Sequence, residues 1–154
     1  MALVTGSATG VGAATVLALA QRGYDVVVNY SKSEAEARET QAACAKAGAD
    51  TLLMRGDVAD DADCRAMVDA VMARWGRLDA LVNNAGTTTF IGAANWDGLD
   101  AAAFDRIMGV NVTGTFQMVR AALPHLKAAQ GAIVNVSSMA GVRGSGSSVP
   151  YIAS

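Results

Sequence analysis

Proline, cysteine and aromatic residues are scarce in this chain, and neither sign of charge dominates. Of 154 residues, 2 are proline, 2 are cysteine and 5% are aromatic. Cys44 and Cys64 sit far apart with no CxxC spacing, so neither a disulfide framework nor a zinc site is indicated and no metal is expected. Lys and Arg total 12 against 14 Asp and Glu, a net charge of -2, with a pI near 5.2. That balance lacks the cationic excess that a nucleic-acid partner calls for. No uncharged apolar run approaches the length of a membrane span. The opening Met1-Ala2-Leu3-Val4-Thr5-Gly6 has no basic residues and reaches a glycine turn at once, unlike a signal peptide. The reading is a soluble, cytoplasmic protein with neither a nucleic-acid nor a membrane partner.

The hydrophobic share is 52% against 17% charged, and mean hydropathy is +0.28. Such a chain is not disordered, and its length suffices for one sizeable core, hence one domain or part of a larger one. The 16 glycines imply many tight bends or close backbone approaches.

Short apolar runs alternate with stretches of helical period. Strands are predicted at Leu3–Val4, Val26–Val28, Thr51–Met54, Leu78–Val82 and Ala132–Val136. Helices are predicted over Val11–Gln21, Ser33–Lys46, Asp61–Trp75 and, as one long element, Ala102–Ala128. Cys64, Val68, Val71 and Trp75 form the apolar stripe of the third, with Asp60 as its N-cap. Continuously apolar strands separated by helices indicate a doubly wound parallel α/β sheet covered on both faces. Ligands of such sheets bind beyond the carboxyl ends of the strands, so the informative residues should follow each strand.

They do. After the first strand comes Thr5-Gly6-Ser7-Ala8-Thr9-Gly10-Val11-Gly12, whose G-x-x-x-G-x-G spacing suits a tight turn and close approach of a pyrophosphate to a helix N-terminus. After the second comes Asn29-Tyr30-Ser31-Lys32, with no Asp or Glu to hold an adenosine ribose 2′-hydroxyl. Polar side chains with Lys32 would favour a 2′-phosphate, and a solvated loop is the plainer alternative. Gly56-Asp57-Val58 follows the third strand, where a carboxylate either accepts from an adenine amine or caps a helix. Asn83-Asn84-Ala85-Gly86 follows the fourth; its amides can tie strand ends while its small residues admit a flat ligand. Asn111 lies inside the long helix between Gly109 and Gly114, poor helix formers that suit a local opening. After the fifth strand come Ser137-Ser138, a glycine-rich loop through Gly141, Gly144 and Gly146, and Tyr151. A hydroxyl and a phenol at one sheet edge can act on a carbonyl or alcohol.

Together these residues resemble the short-chain dehydrogenase/reductase family over essentially the whole chain. Gly6, Gly10 and Gly12 match its TGxxxGxG loop, Asp57-Val58 its adenine-contacting Asp, and Asn83-Asn84-Ala85-Gly86 its NNAG motif. Asn111 matches its helix asparagine, and Ser138 and Tyr151 match its catalytic Ser and the Tyr of YxxxK. The members most similar are those resembling 3-oxoacyl-carrier-protein reductase. The resemblance implies a Rossmann-like dinucleotide-binding domain of five βα units over residues 1–154, with two further strands beyond. It implies hydride transfer between a nicotinamide and a carbonyl or alcohol substrate, with NADP(H) favoured over NAD(H). Gly6, Thr9, Gly10, Val11, Gly12, Tyr30, Ser31, Asp57, Val58, Asn84, Ala85 and Gly86 would bind the cofactor. Asn111, Ser138 and Tyr151 would be catalytic, with Asn111 holding a relay water. A homo-oligomer, dimer or tetramer, is implied, with the long helix as its contact.

A free phenol ionises near pH 10, and the family matches its Tyr to neutral pH with the Lys of YxxxK and the nicotinamide. After Tyr151 come Ile152, Ala153 and Ser154; the Lys would follow. The competing expectation, for a chain of only these residues, is a dinucleotide-binding or interaction protein without turnover. Epimerase or dehydratase chemistry fits the NNAG motif and the Ser-to-Tyr spacing less well. His125 reads as decoration at the end of the long helix. Thr87–Leu99, with Phe90 and Trp96, either lines a pocket or packs against a neighbour.

Overall fold

A computed structural model of the chain describes residues 1–91 and 95–154. Residues 92–94 and the side chain of Trp96, within the Thr87–Leu99 stretch, lie outside the described residues. Five strands, β1 (Ala2–Val4), β2 (Val26–Tyr30), β3 (Thr51–Arg55), β4 (Ala80–Asn83) and β5 (Ala132–Asn135), pair in parallel in the order β3-β2-β1-β4-β5. Helices α1 (Gly10–Ala20), α2 (Glu34–Lys46) and α3 (Asp61–Trp75) connect the first four strands. The fourth connection contains α4 (Ala101–Met108), a π-helical segment (Gly109–Gly114) and α5 (Thr115–Ala129). Two short helices, α6 (Met139–Arg143) and α7 (Val149–Ala153), follow β5.

The strands bury residues on both faces because their side chains alternate. Leu3, Val27 and Leu81 join Met67, Val68, Val71, Met118 and Leu126 in one core. Ala2, Val4, Val26 and Val28 join Val16, Ala20, Ala37 and Cys44 in the other. Helix α1 reaches the sheet through Gly12, Val16 and Ala20, one residue per turn. Helix α3 starts where the Asp60 carboxylate accepts the Ala62 N–H at 2.8 Å and stops at Gly76 in the left-handed region, φ 68°. Strand β5 forms one edge of the sheet, with Val134 and Val136 exposed. No helix among the described residues is long and apolar enough to cross a membrane.

Three expectations are corrected. Strand β4 begins at Ala80 rather than Leu78, because pairing starts at the Ala2↔Ala80 register and Asp79 is engaged elsewhere. The long helix is interrupted by the π segment, where the Thr115 hydroxyl donates to Asn111 O at 3.0 Å. The glycine-rich loop after β5 is partly helical: Gly141 lies inside α6 and Gly144, at φ 66°, terminates it.

Asp79 anchors the start of β4. It accepts from Arg77 Nε at 3.0 Å and from the Met1 ammonium at 2.7 Å, with its side chain only 20% exposed. The Arg77 hydrogen bond, aided by the terminal ammonium, outweighs burial and holds the carboxyl at about 2, against an ordinary 3.8. A depressed folded-state pKa gives stability that is complete above the unfolded value and is lost as pH falls through the folded one. Here the window runs from about pH 4 to pH 2, and the linked stability is about 2 kcal/mol. Asp79→Asn should therefore lower the unfolding free energy by about 2 kcal/mol at pH 7 and change it little near pH 2. Equal losses at both pH values in urea titrations would show that the charge is not the source.

Candidate active site

The strand order reverses at β1, whose neighbours β2 and β4 lead to helices on opposite faces, so a crevice opens between the carboxyl ends of β1 and β4. Thr5 fastens its two walls together. Its buried hydroxyl oxygen accepts the N–H groups of Asn84 and Ala85, both at 3.0 Å. The Asn84 side-chain amide returns two bonds, to Thr5 O at 2.9 Å and Gly6 O at 3.0 Å. Asn83 Nδ2 donates to Asn135 Oδ1 at 2.9 Å, joining β4 to β5. The strand-tying expected of the two amides is thus present, one for each neighbouring strand.

Asn29 does the same on the other side. Its Oδ1 accepts the Gly6 N–H at 2.9 Å, and its Nδ2 donates to Gly56 O at 3.1 Å. These ties frame a cleft of about 410 Å³ that includes Gly6, Thr9, Ser31, Lys32, Asp57 and Val58 along one side and Asn84, Ala85 and Gly86 along the other. The N-terminus of α1 opens nearby: Thr9, its N-cap, makes no side-chain capping bond, and the first turn holds no acidic residue. Its leading N–H groups are therefore unclaimed by side chains and suit an anion.

The expected cofactor residues divide. Gly6, Thr9, Ser31, Asp57, Val58, Asn84, Ala85 and Gly86 line the cleft. Gly10, Val11 and Gly12 form the first turn of α1, with Gly10 at φ 58°, Val11 exposed and Gly12 buried beneath Asn84. Tyr30 is not brought to the cleft: it is buried in the core that contains Val28 and Ala37. The residue after β2 that faces the cleft is Ser31, followed by Lys32.

Asp57 is not the α3 cap, a role that Asp60 fills. Its Oδ1 accepts the Ala59 N–H at 3.0 Å and its Oδ2 accepts Arg106 Nη1 at 2.7 Å. Burial pushes its carboxyl up, but the Arg106 and Ala59 bonds and the charges of Arg106 and Lys32 prevail and leave it below the usual carboxylate range. The Asp57 carboxylate is ionised at neutral pH and already paired with Arg106.

A second cavity of about 260 Å³ continues from the same wall, since Asn84, Ala85 and Gly86 line both. It brings together Asn111, Ser138 and Tyr151, as the sequence expectation required. The Ser138 hydroxyl oxygen caps α6 by accepting the Ala140 N–H at 3.1 Å, which leaves its own proton free to donate. Asn111 is not a solvent-facing helix residue. Its Oδ1 accepts the Thr87 N–H at 2.9 Å, and its Nδ2 donates to Thr87 O at 3.1 Å and to Ser154 Oγ at 2.8 Å. Among the described residues, those lining this cavity include no Lys, Arg or His.

Thr5, Asn29 and Arg106 are the side chains that the strand-end reading passes over as contributors. Thr5 and Asn29 carry a detectable signal, being polar residues at the ends of apolar strands that are nevertheless 1% exposed. Arg106 has none, because its partner Asp57 is 49 residues away in sequence.

Fold and cleft together define a Rossmann-like α/β protein whose candidate site spans the switch point of the sheet. The chain belongs to the short-chain dehydrogenase family, whose model, described as short chain dehydrogenase, matches residues 1–154. Over 100% of this chain it is 45% identical to a Streptomyces violaceoruber protein named as a ketoacyl reductase of the granaticin polyketide synthase, covering 61% of that protein. It is 35% identical to the 3-oxoacyl-acyl-carrier-protein reductase FabG of Staphylococcus aureus, covering 99% of this chain and 61% of the relative. A crystal structure described as a short-chain dehydrogenase/reductase from Burkholderia xenovorans superposes with a TM-score of 0.95 at 45% identity, covering 99% of this chain and 64% of that one. The chain thus spans about 61% of the length of these curated relatives.

Proposed function

We propose that these residues form the cofactor-binding and catalytic portion of an NADPH-dependent reductase that acts on the ketone of a 3-oxoacyl thioester. The observation that carries the reading is the shared wall Asn84–Gly86, which joins the glycine-turn cleft to the cavity of Ser138 and Tyr151. A dinucleotide fits the residues present: the uncapped α1 N-terminus offers free N–H groups, and a Cβ on Gly6 would lie 2.9 Å from Ala85 Cα and narrow the cleft. Gly6, Thr9, Gly10, Val11 and Gly12 would hold the pyrophosphate, Asp57 and Val58 the adenine, and Asn84, Ala85 and Gly86 the nicotinamide half. When bound, the nicotinamide supplies the hydride that no protein side chain can.

The chain's own residues handle the oxygen and its proton. Ser138, whose oxygen accepts the Ala140 N–H with one of its lone pairs, donates its proton as a hydrogen bond to the substrate oxygen. Tyr151 gives that oxygen a proton in reduction and takes one in oxidation. Asn111 braces the strand-end backbone at Thr87, and a relay water on it would take the position of Ser154 Oγ. Ser31 and Lys32 beside Asp57, with no Asp or Glu among Asn29-Tyr30-Ser31-Lys32, support NADP(H) over NAD(H). The names of relatives at 45% and 35% identity support the acyl substrate class. Exposed Val112, Phe116 and Leu123 on the π segment and α5 support a homo-oligomer through that helix, working in the cytoplasm.

Fluorescence titration with NADPH and NADH, followed by a turnover assay on a 3-oxoacyl thioester, tests the reading. NADPH should bind more tightly by about tenfold or more, the scale of one added charge-assisted contact. Tighter NADH binding would sink the assignment of Ser31 and Lys32. Nucleotide binding with no hydride transfer to any ketone would leave a binding protein instead.

A further inference from the structure

The turn Asp57-Val58-Ala59 is gripped along one side by the interrupted helix. Gln117 Nε2 donates to Val58 O at 2.8 Å, and a Cβ on Gly114 would fall 2.9 Å from the same oxygen. Arg106, one turn before the π segment, donates to Asp57 Oδ2 at 2.7 Å and itself lines the larger cleft. The turn is otherwise acidic: the Asp57 N–H donates to the Asp63 carboxylate at 2.8 Å, and Asp60 and Asp61 follow directly. Of the other arginines near it, Arg65 and Arg120 both pair with Asp61, and Arg55 lines a pocket with Asp57 and Asp63 without bonding the Asp57 carboxylate.

Two consequences follow for a carboxylate in that position. A carboxylate has about four acceptor positions, and Ala59 and Arg106 occupy one on each oxygen. The carboxylate plane is thereby held at two points while an acceptor position on each oxygen remains for an amine. Without Arg106 a single bond to Ala59 would hold it and the group could rotate. An unpaired carboxylate would also add negative charge to a cleft meant for a polyanion.

We propose that Arg106 is a positioning residue of the cofactor site, acting through Asp57 to fix and charge-balance the carboxylate that meets the adenine. The proposal rests on the reading that Asp57 contacts the adenine. Four proteins, the parent, Arg106→Gln, Arg106→Lys and Asp57→Asn, are titrated with NADPH, with 5′-AMP as the adenine half and with reduced nicotinamide mononucleotide as the other. Thermal unfolding of each reports the fold. Arg106→Gln should weaken NADPH and 5′-AMP by about tenfold, as loss of a charge-assisted contact does, and leave the nicotinamide half unchanged. Arg106→Lys, which retains the charge, should recover most of that loss. An Arg106→Gln protein with parental 5′-AMP affinity, beside an Asp57→Asn protein that has lost it, overturns the proposal alone. Equal weakening of both halves by Arg106→Gln, unrecovered in Arg106→Lys, also overturns it, showing a merely structural residue. Unchanged 5′-AMP binding by Asp57→Asn removes the reading of Asp57 and the proposal with it.

Discussion

Replacing Gly12 by alanine is expected to cost about 3 kcal/mol of stability, the sum of overpacking and a disturbed buried hydrogen-bond pair. The new Cβ would fall 2.5 Å from Gly6 O and 2.9 Å from Ser7 Cα, and would collide with Asn84 Nδ2. None of these can retreat freely. Gly6 O and Asn84 Nδ2 are bonded to each other at 3.0 Å, and Asn84 also holds Thr5 O at 2.9 Å. Moving Asn84 shifts the wall shared by both cavities, so NADPH affinity should fall along with stability. Gly10→Ala provides the contrast. Its Cβ would meet nothing within 4 Å, and only the φ of 58° opposes a side chain. That strain costs about 1–2 kcal/mol, with the wall left in place. Urea unfolding and NADPH titration of both variants measure the difference. A Gly10→Ala protein as damaged as Gly12→Ala would mean that backbone conformation, rather than the close approach, governs this turn.

The same turn shows why so much of the site was legible. Its requirements are local: a helix N-terminus at Gly10, a glycine two residues on where nothing else fits, and small residues opposite. Asn83, Asn84, Ala85 and Gly86 are legible for the same reason, since amides at the end of an apolar strand tie it to its neighbours and the small residues after them leave room beside it. Asn111 was legible by exception, because Gly109 and Gly114 weaken the helix around it and the chain opens there into a π segment. Legibility fails where partners meet only in three dimensions. Arg106 on α4 finds Asp57 only through the packing of distant elements, and the polar signal of Asn29 does not reveal its partners Gly6 and Gly56, which the order of strand pairing sets. Tyr30 fails differently. It stands at the expected position after the apolar run Val26–Val28, but β2 extends through it, and strand alternation turns its ring into the core. The helices α6 and α7 escape periodicity altogether, each being five residues long. The ends of α6 are set by the Ser138 cap and the Gly144 stop rather than by an apolar stripe.

Because Ser138 both caps α6 and faces the proposed substrate oxygen, its two roles and that of Tyr151 can be separated by substitution. Tyr151→Phe removes one oxygen and no described packing, and is expected to lower kcat roughly a thousandfold, the size of a lost general acid. NADPH affinity and thermal stability should stay near the parent. Ser138→Ala loses the donor to the substrate oxygen, worth roughly a hundredfold or more in kcat, and also the acceptor for the Ala140 N–H, worth about 1 kcal/mol. Ser138→Gly loses the same donor, but glycine at an N-cap costs only about a few tenths of a kcal/mol. The two serine variants should therefore share one kinetic defect while differing in unfolding temperature. A Tyr151→Phe protein that keeps more than about a tenth of the parental kcat would rule the phenol out as the proton donor. Recovery of activity in Ser138→Gly beside loss in Ser138→Ala would assign Ser138 to the helix cap alone, and the polarising donor would then have to come from elsewhere along the wall that Asn84, Ala85 and Gly86 share.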